Sequence, residues 1–169
     1  MNNIDKLIKF IQINISIITI SDSRSDNNDK SGNILKERIE KFGHKIYSKI
    51  IIPDDIKKIK KTINELSENK NVDVIITTGG TGLTGRDSTP EAIVEMADKI
   101  IDGFGELFRQ ISYKKIGTST IQSRAIAAVI KHTYVFCLPG SPGACKDGWD
   151  DILKYQLDIR HKPCNFIEI

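Results

Sequence analysis

The chain has 169 residues, 39% hydrophobic and 28% charged, with a net charge of +3. That length suits one domain with a full core, and the charge is too small to argue for nucleic acid. No apolar run approaches a membrane span, and residues 1–13 lack the apolar core of a secretory leader. The three cysteines, Cys137, Cys145 and Cys164, show neither CxxC nor Cys/His spacing, which fits a reducing compartment and argues against a zinc site. We therefore expect a cytoplasmic protein.

Residues 1–12 read as an N-terminal extension. Ile13–Ile20 is a strand apolar enough to be central. Ser21–Gly32 follows as a polar loop, too hydrophilic to be packed. Loops after the carboxyl ends of parallel strands bind ligands in open α/β sheets, so Ser21, Asp22 and Arg24 are candidates. A helix opens at Ser31-Gly32 and runs through Phe42; Ile34, Leu35, Ile39 and Phe42 share one face, and Gly43 stops it. Lys45–Ile52 is the next strand. Pro53-Asp54-Asp55 leads into a helix over Ile56–Glu68 that buries Ile56, Ile59, Ile63 and Leu66 and turns lysines outward. Either aspartate can cap that helix.

The most informative stretch is Val72–Ala92. Val72, Val74, Ile75 and Ile76 form a strand buried on both faces. A loop with Gly79, Gly80, Gly82 and Gly85 follows. A helix then starts at Ser88 or Thr89, with Pro90 in the first turn and Glu91 spaced for a capping box with Ser88. Glycines let backbone N–H groups approach an anion, and the helix start adds positive potential. Thr77, Thr78 and Thr81 bring hydroxyls. The loop matches neither GxGxxG nor GxxxxGK[ST], and a tight turn that needs glycine for geometry alone is the plainer alternative. Arg86 reads as a phosphate clamp. Asp87, beside an anion site, reads as a Mg2+ ligand or orienting group. The bland alternative is an exposed Arg86–Asp87 pair.

Glu91–Lys99 reads as helical. Phe104, Leu107, Phe108 and Ile111 form a helical stripe for the core or a subunit interface. In Gly117–Arg124, hydroxyls and Arg124 offer a grip for a polar ligand, with Ser123 the other candidate. Ala125–Ile130 and Thr133–Leu138 are paired strands about Lys131-His132. Pro139–Gly143 is a second strand, glycine loop and helix junction, with Gly140 and Ser141 facing the crevice. Its helix runs to about Leu157, packed down by Trp149 and Tyr155. Residues 160–169 form a tail that docks on the body or on a neighbour. The pattern predicts a single three-layer αβα domain with a mostly parallel, mixed sheet.

TTGGTGLTGRDSTPEA (Thr77–Ala92) resembles the signature of the MoaB/MogA family of molybdenum cofactor biosynthesis proteins. GFGELFRQISYKKIGTSTIQSRA (Gly103–Ala125), LPGSPGAC (Leu138–Cys145) and RHKPCNF (Arg160–Phe166) are more similar to the MoaB branch than to MogA. The likeness covers almost everything from about Asn14 onward. It implies adenylylation of molybdopterin by Mg·ATP. It places Thr78, Gly79, Gly80, Thr81, Gly82, Ser21 and Asp22 at the nucleotide. Asp54, matching the family's essential Pro-Asp motif, and Asp87 become the catalytic pair and the Mg2+ ligands. Arg86, Ser123, Arg124, Gly140 and Ser141 face the pterin substrate. The resemblance also implies a homo-oligomer, trimer or hexamer. Some MoaB-branch members have lost the aspartate of the glycine loop, so a non-catalytic molybdopterin-binding accessory role is the alternative; this sequence keeps Asp87. The related loop of CinA proteins, TTGG-x-GPT-x-DD, departs from GLTGRDST.

Overall fold

The computed structural model describes residues 3–167; Met1, Asn2, Glu168 and Ile169, the ends of the expected extension and tail, lie outside the described residues. Strand β2 (Asn14–Ile20) leads to helix α1 (Lys30–Phe42), β3 (Lys45–Ile52), α2 (Ile56–Glu68) and β4 (Val74–Thr78). Then follow α3 (Thr89–Met96), β5 (Lys99–Ile100), α4 (Asp102–Ile116), a 3-10 turn (Gly117–Gln122), β6 (Ile126–Ile130) and β7 (Thr133–Leu138). The strands form a six-stranded sheet in the order β3-β2-β4-β7-β6-β5. β3, β2, β4 and β7 are parallel, while β6 runs antiparallel to β7 and to β5. The expected mixed, mostly parallel sheet is present.

Alternation along the strands builds a core on each face. Ile15, Ile17, Val74, Ile76, Phe136 and Leu138 point towards α1, α4 and the last helix. Ile18, Ile20, Ile75, Val135 and Cys137 point the other way, onto Ile59 and Ile63 of α2 and Ile93 of α3. This is the double burial expected of near-continuous apolar strands. Gly43 ends α1 at φ +111°, where its N–H satisfies the Ile39 and Glu40 carbonyls. Among the described residues no helix is long and apolar enough to cross a membrane.

Several boundaries differ from the sequence expectation. The strand after Val72 runs two residues later, into Thr77 and Thr78. Helix α3 stops at Met96, and Lys99-Ile100 pairs with β6 instead of continuing it. The last helix is segmented into α5 (Pro142–Asp147), a π-helical stretch (Gly148–Leu153) and α6 (Lys154–Gln156). Trp149 is buried there, as expected. The tail docks on the body: Phe166 packs against Tyr134 and Phe136, with centroids at 4.9 and 5.5 Å. It also meets the N-terminal extension, where β1 (Asn3–Ile4) pairs antiparallel with β8 (His161–Lys162).

The polar loop after β2 is not simply solvated. Asp29 near its end is fully buried. It caps α1 by accepting from the Gly32 N–H at 2.9 Å, accepts from the Thr19 hydroxyl at 2.9 Å, and ion-pairs with Lys49 Nζ of β3 at 2.9 Å. Burial pushes its pKa up, but Lys49 and the two hydrogen-bond donors outweigh that and hold it below the ordinary carboxylate value. Its stabilising contribution is therefore complete above the ordinary carboxylate pKa and lost as pH falls through the lower folded value. Lys49→Met leaves a buried carboxylate without its cation and is expected to cost about 3 kcal/mol in urea unfolding at neutral pH. Without Lys49, burial acts on Asp29 with less opposition, so the carboxylate takes up a proton at higher pH in the variant than in the parent, and the loss is expected to shrink as pH falls.

Candidate functional site

The carboxyl ends of β2, β3, β4 and β7 form one rim of the sheet, and the predicted site residues gather there. The rim is drawn tight at Gly79, where φ is +102° and a β-carbon would lie 2.2 Å from the Ile20 carbonyl oxygen. Gly140 sits against the Cα of Gly79, and the Gly79 N–H donates to the Leu138 carbonyl at 3.2 Å. A cavity of about 180 Å³ opens beside this junction, bounded by Ser21, Arg24, Thr78, Gly79 and Gly140. It lies between β2 and β4, where the strand order reverses, the position at which open α/β sheets take ligands.

Two carboxylates face the glycine loop from opposite ends. The Asp54 Oδ1 atom accepts from the Ser88 N–H at 3.3 Å and the Ser88 hydroxyl at 3.2 Å. Its Oδ2 atom lies 2.9 Å from where a Gly80 β-carbon would be. Asp87 Oδ2 accepts from the Thr84 N–H at 3.0 Å and from the Thr84 hydroxyl, and lies 2.7 Å from a Gly82 β-carbon position. Gly80 and Gly82 thus leave room for the acids as well as exposing their own backbone. The two groups titrate differently. Burial, with the charges of Asp87 and Asp22, raises the Asp54 pKa. The Thr84 hydroxyl, with backbone donors of Thr84 and Gly82, lowers that of Asp87.

Asp55 caps α2 through the Lys58 N–H, which frees Asp54 for the site. Asp22 joins the acids: it accepts from the Asp54 N–H at 3.3 Å and ion-pairs with Arg86 at 2.7 Å. Arg86 therefore pairs across to the β2 loop and not with its neighbour Asp87. The expected capping box does not form. Ser88 gives its hydroxyl to Asp54, and Glu91 ion-pairs with Arg124. Arg124 also donates through Nε to the Thr81 carbonyl at 3.1 Å and through Nη2 to the Asp87 carbonyl at 2.9 Å. All three guanidinium nitrogens are committed to the protein, where the sequence reading expected a substrate grip. The Thr78 hydroxyl is likewise spent within the fold, on the Pro139 carbonyl at 3.1 Å.

The remaining candidates lie across the rim. Ser141 caps α5 by accepting from the Ala144 N–H at 3.1 Å. The Ser123 hydroxyl is buried without a partner in the described structure. Both border a cavity of about 290 Å³ that Phe108, Ile116, Pro139 and Asp147 also line. Burial pushes the Cys145 thiol up to about 11, so it is a packed filler and not a nucleophile. Thr84 and Glu91 were missed as site residues; the Thr84-x-x-Asp87 spacing carries the signal for the first.

Among the described residues no group of three or more His, Cys, Asp or Glu side chains converges as a metal cage. Two carboxylates on a phosphate-type loop still suit Mg2+, which takes oxygen donors and fills its shell from water and substrate phosphates.

A family model described as a probable molybdopterin binding domain matches residues 16–159. The chain belongs to that family of molybdenum cofactor biosynthesis proteins. It is similar to molybdenum cofactor biosynthesis protein B of Escherichia coli, 41% identical over 158 residues, spanning 94% of this chain and 93% of the relative. The namesake of Bacillus cereus is 46% identical over 147 residues, 86% of this chain and 87% of its own. A crystal structure of a molybdenum cofactor biosynthesis protein B superposes with a TM-score of 0.85 at 42% identity, covering 87% of this chain and 92% of that one.

Gly82→Ala drives a β-carbon into the Asp87 carboxylate on an exposed loop. We expect the unfolding temperature to change little while Mn2+ binding, read by water proton relaxation, falls at least tenfold, about 1.4 kcal/mol. The Asp54 carboxyl carbon is expected to titrate above an ordinary aspartate by NMR and to move down in Asp87→Asn, which removes a like charge.

Proposed function

We propose that this protein transfers AMP from Mg·ATP to the terminal phosphate of molybdopterin. The observation that carries this reading is the pair Asp54 and Asp87, set at either end of one glycine loop with their pKa values moved apart. A phosphate oxygen of the pterin substrate attacks the α-phosphorus of ATP, and the bond to pyrophosphate breaks. Asp54 and Asp87 hold Mg2+, which when bound neutralises charge on the phosphates. Within Gly79 to Gly82, the backbone N–H groups of Gly80 and Thr81 cradle the nucleotide phosphates, with Ser21 and Asp22 beside them. The exposed ion pair of Arg86 with Asp22 is weak enough to exchange for a substrate phosphate. Ser123 and Ser141 line the side on which the pterin enters, with Gly140 at the junction to the nucleotide cavity, and the unpartnered Ser123 hydroxyl offers the pterin a hydrogen bond.

Leu107, Tyr113 and Ile116 are exposed on α4, with Ile121 just beyond it. They support self-association; trimer or hexamer is what the family resemblance implies. The free cysteines support a cytoplasmic setting.

The test is incubation of the protein with molybdopterin and Mg·ATP, following pyrophosphate and adenylylated pterin. Asp87→Asn is expected to reduce turnover by at least about 100-fold, the scale on which removing one group that stabilises transition-state charge acts, while leaving the fold and pterin binding intact. Full activity in that variant would remove the carboxylate pair from the chemistry. Tight pterin binding without any turnover in the wild-type protein would establish the accessory role instead.

A further inference from the structure

We propose that Arg124 is a positioning residue: a strut that fixes the span from Thr81 to Asp87 and so sets where the Asp87 carboxylate stands. The span needs such a strut. Gly82 to Arg86 are exposed. Its own hydrogen bonds are local, from the Asp87 N–H to the Thr84 carbonyl at 3.1 Å and from Thr84 back to the Asp87 carboxylate. Those bonds shape the turn; Arg86 ties it to Asp22 only through an exposed ion pair, which contributes little, and Ser88, just past the span, donates to Asp54. Arg124 adds the partly buried tie that holds both ends at once: it donates to the Thr81 and Asp87 carbonyls, while its third nitrogen is held by Glu91 of α3.

The base of the strut is itself fixed. The next residue, Ala125, is buried, and its carbonyl accepts from Arg109 Nη1 of α4 at 3.3 Å. Gly105 lets α4 approach that same carbonyl, since a β-carbon there would lie 2.6 Å from it. β6 begins one residue later. A planar guanidinium with several donors is the group that bridges two carbonyls and a carboxylate together; an ammonium lacks that fixed fork. The geometry therefore ties the loop to the sheet through α4 and β6, independently of the β4 backbone from which the loop springs.

The test uses Arg124→Lys, Arg124→Ala with added guanidinium, and Glu91→Gln, each checked for folding by near-UV circular dichroism. Hydrogen exchange at the Thr84 and Asp87 amides of the unliganded protein reads the loop without reference to any reaction. Exchange at least about tenfold faster in Arg124→Lys is expected, with core strand amides unchanged. The kinetic arm rests on the adenylyltransferase reading: kcat is expected to fall about 100-fold, the scale of a misplaced catalytic group, with KM for molybdopterin within about threefold. Millimolar guanidinium is expected to restore part of the kcat of Arg124→Ala. Glu91→Gln keeps both carbonyl bonds, so its loop exchange is expected to rise less than that of Arg124→Lys. Unchanged loop exchange in Arg124→Lys overturns the proposal, as does a raised KM with kcat retained, which would make Arg124 a substrate contact. A loss in Glu91→Gln equal to that in Arg124→Lys would also overturn it. A wild-type protein without turnover would remove the reaction assigned above, and the exchange result would still decide the role of Arg124.

Discussion

The absence of a β-carbon at Gly79 is the constraint on which the rest of the site depends. At that one residue the end of β4 touches the last carbonyl of β2, bonds to the last carbonyl of β7 and lies against Gly140. The Thr89 hydroxyl, at the start of α3, donates to the Gly79 carbonyl at 3.1 Å. Three strand ends, a loop and a helix are thereby fixed to one another by backbone contacts with no slack. A larger residue would have to part the strands. The ligand rim is in this sense an outgrowth of the core packing, and its geometry is set before any side chain is placed.

Onto this rigid rim the sequence places three acids, Asp22, Asp54 and Asp87, around a loop whose backbone favours anions. Each is reconciled to its surroundings by a different device. Asp22 takes the guanidinium of Arg86 in exposed surroundings. Asp87 is held ionised chiefly by the Thr84 hydroxyl. Asp54 has the Ser88 donors, but burial and two like charges act against its ionised form. A cation between the acids removes that repulsion, and so does a proton on Asp54. The protein thus makes one carboxylate easier to ionise than an ordinary aspartate and the other harder, an arrangement of the kind that separates roles at catalytic sites.

Much of this was legible in the sequence because it rests on local signals. The apolar runs gave β2, β3 and β7 almost to the residue, and Gly43 marked the end of α1. The split roles of Asp54 and Asp55 could be stated as a choice but not resolved, because a capping motif looks the same whichever of two adjacent acids fills it. What could not be read were partnerships across long separations. Arg86 with Asp22, Arg124 with the Thr81 and Asp87 carbonyls, and Asp29 with Lys49 depend on which loops the sheet order brings together. Asp29 is the clearest case. Its surroundings in sequence are all polar, so hydropathy marks it as solvated, yet the α1 start and Lys49 bury it as a charge pair.

The two glycine junctions show what the site takes from local stability. After β7, Ser141 behaves as its sequence context suggests and caps its own helix through the Ala144 N–H. After β4, Ser88 stands in the equivalent place before Thr89 and Pro90, with Glu91 at the right distance for a capping box, yet α3 has no side-chain cap. A cap is worth about 1 kcal/mol, and here that contribution is redirected: the Ser88 hydroxyl holds Asp54, and Glu91 holds the guanidinium that spans the loop. Pro90 lessens the loss, since a proline in the first turn has no N–H to satisfy. The same short motif therefore serves as a helix stop-and-start signal at one strand end and as the support for the acids at the other. Only the presence of Asp54 across the rim, from a strand two places away in the sheet, decides between them.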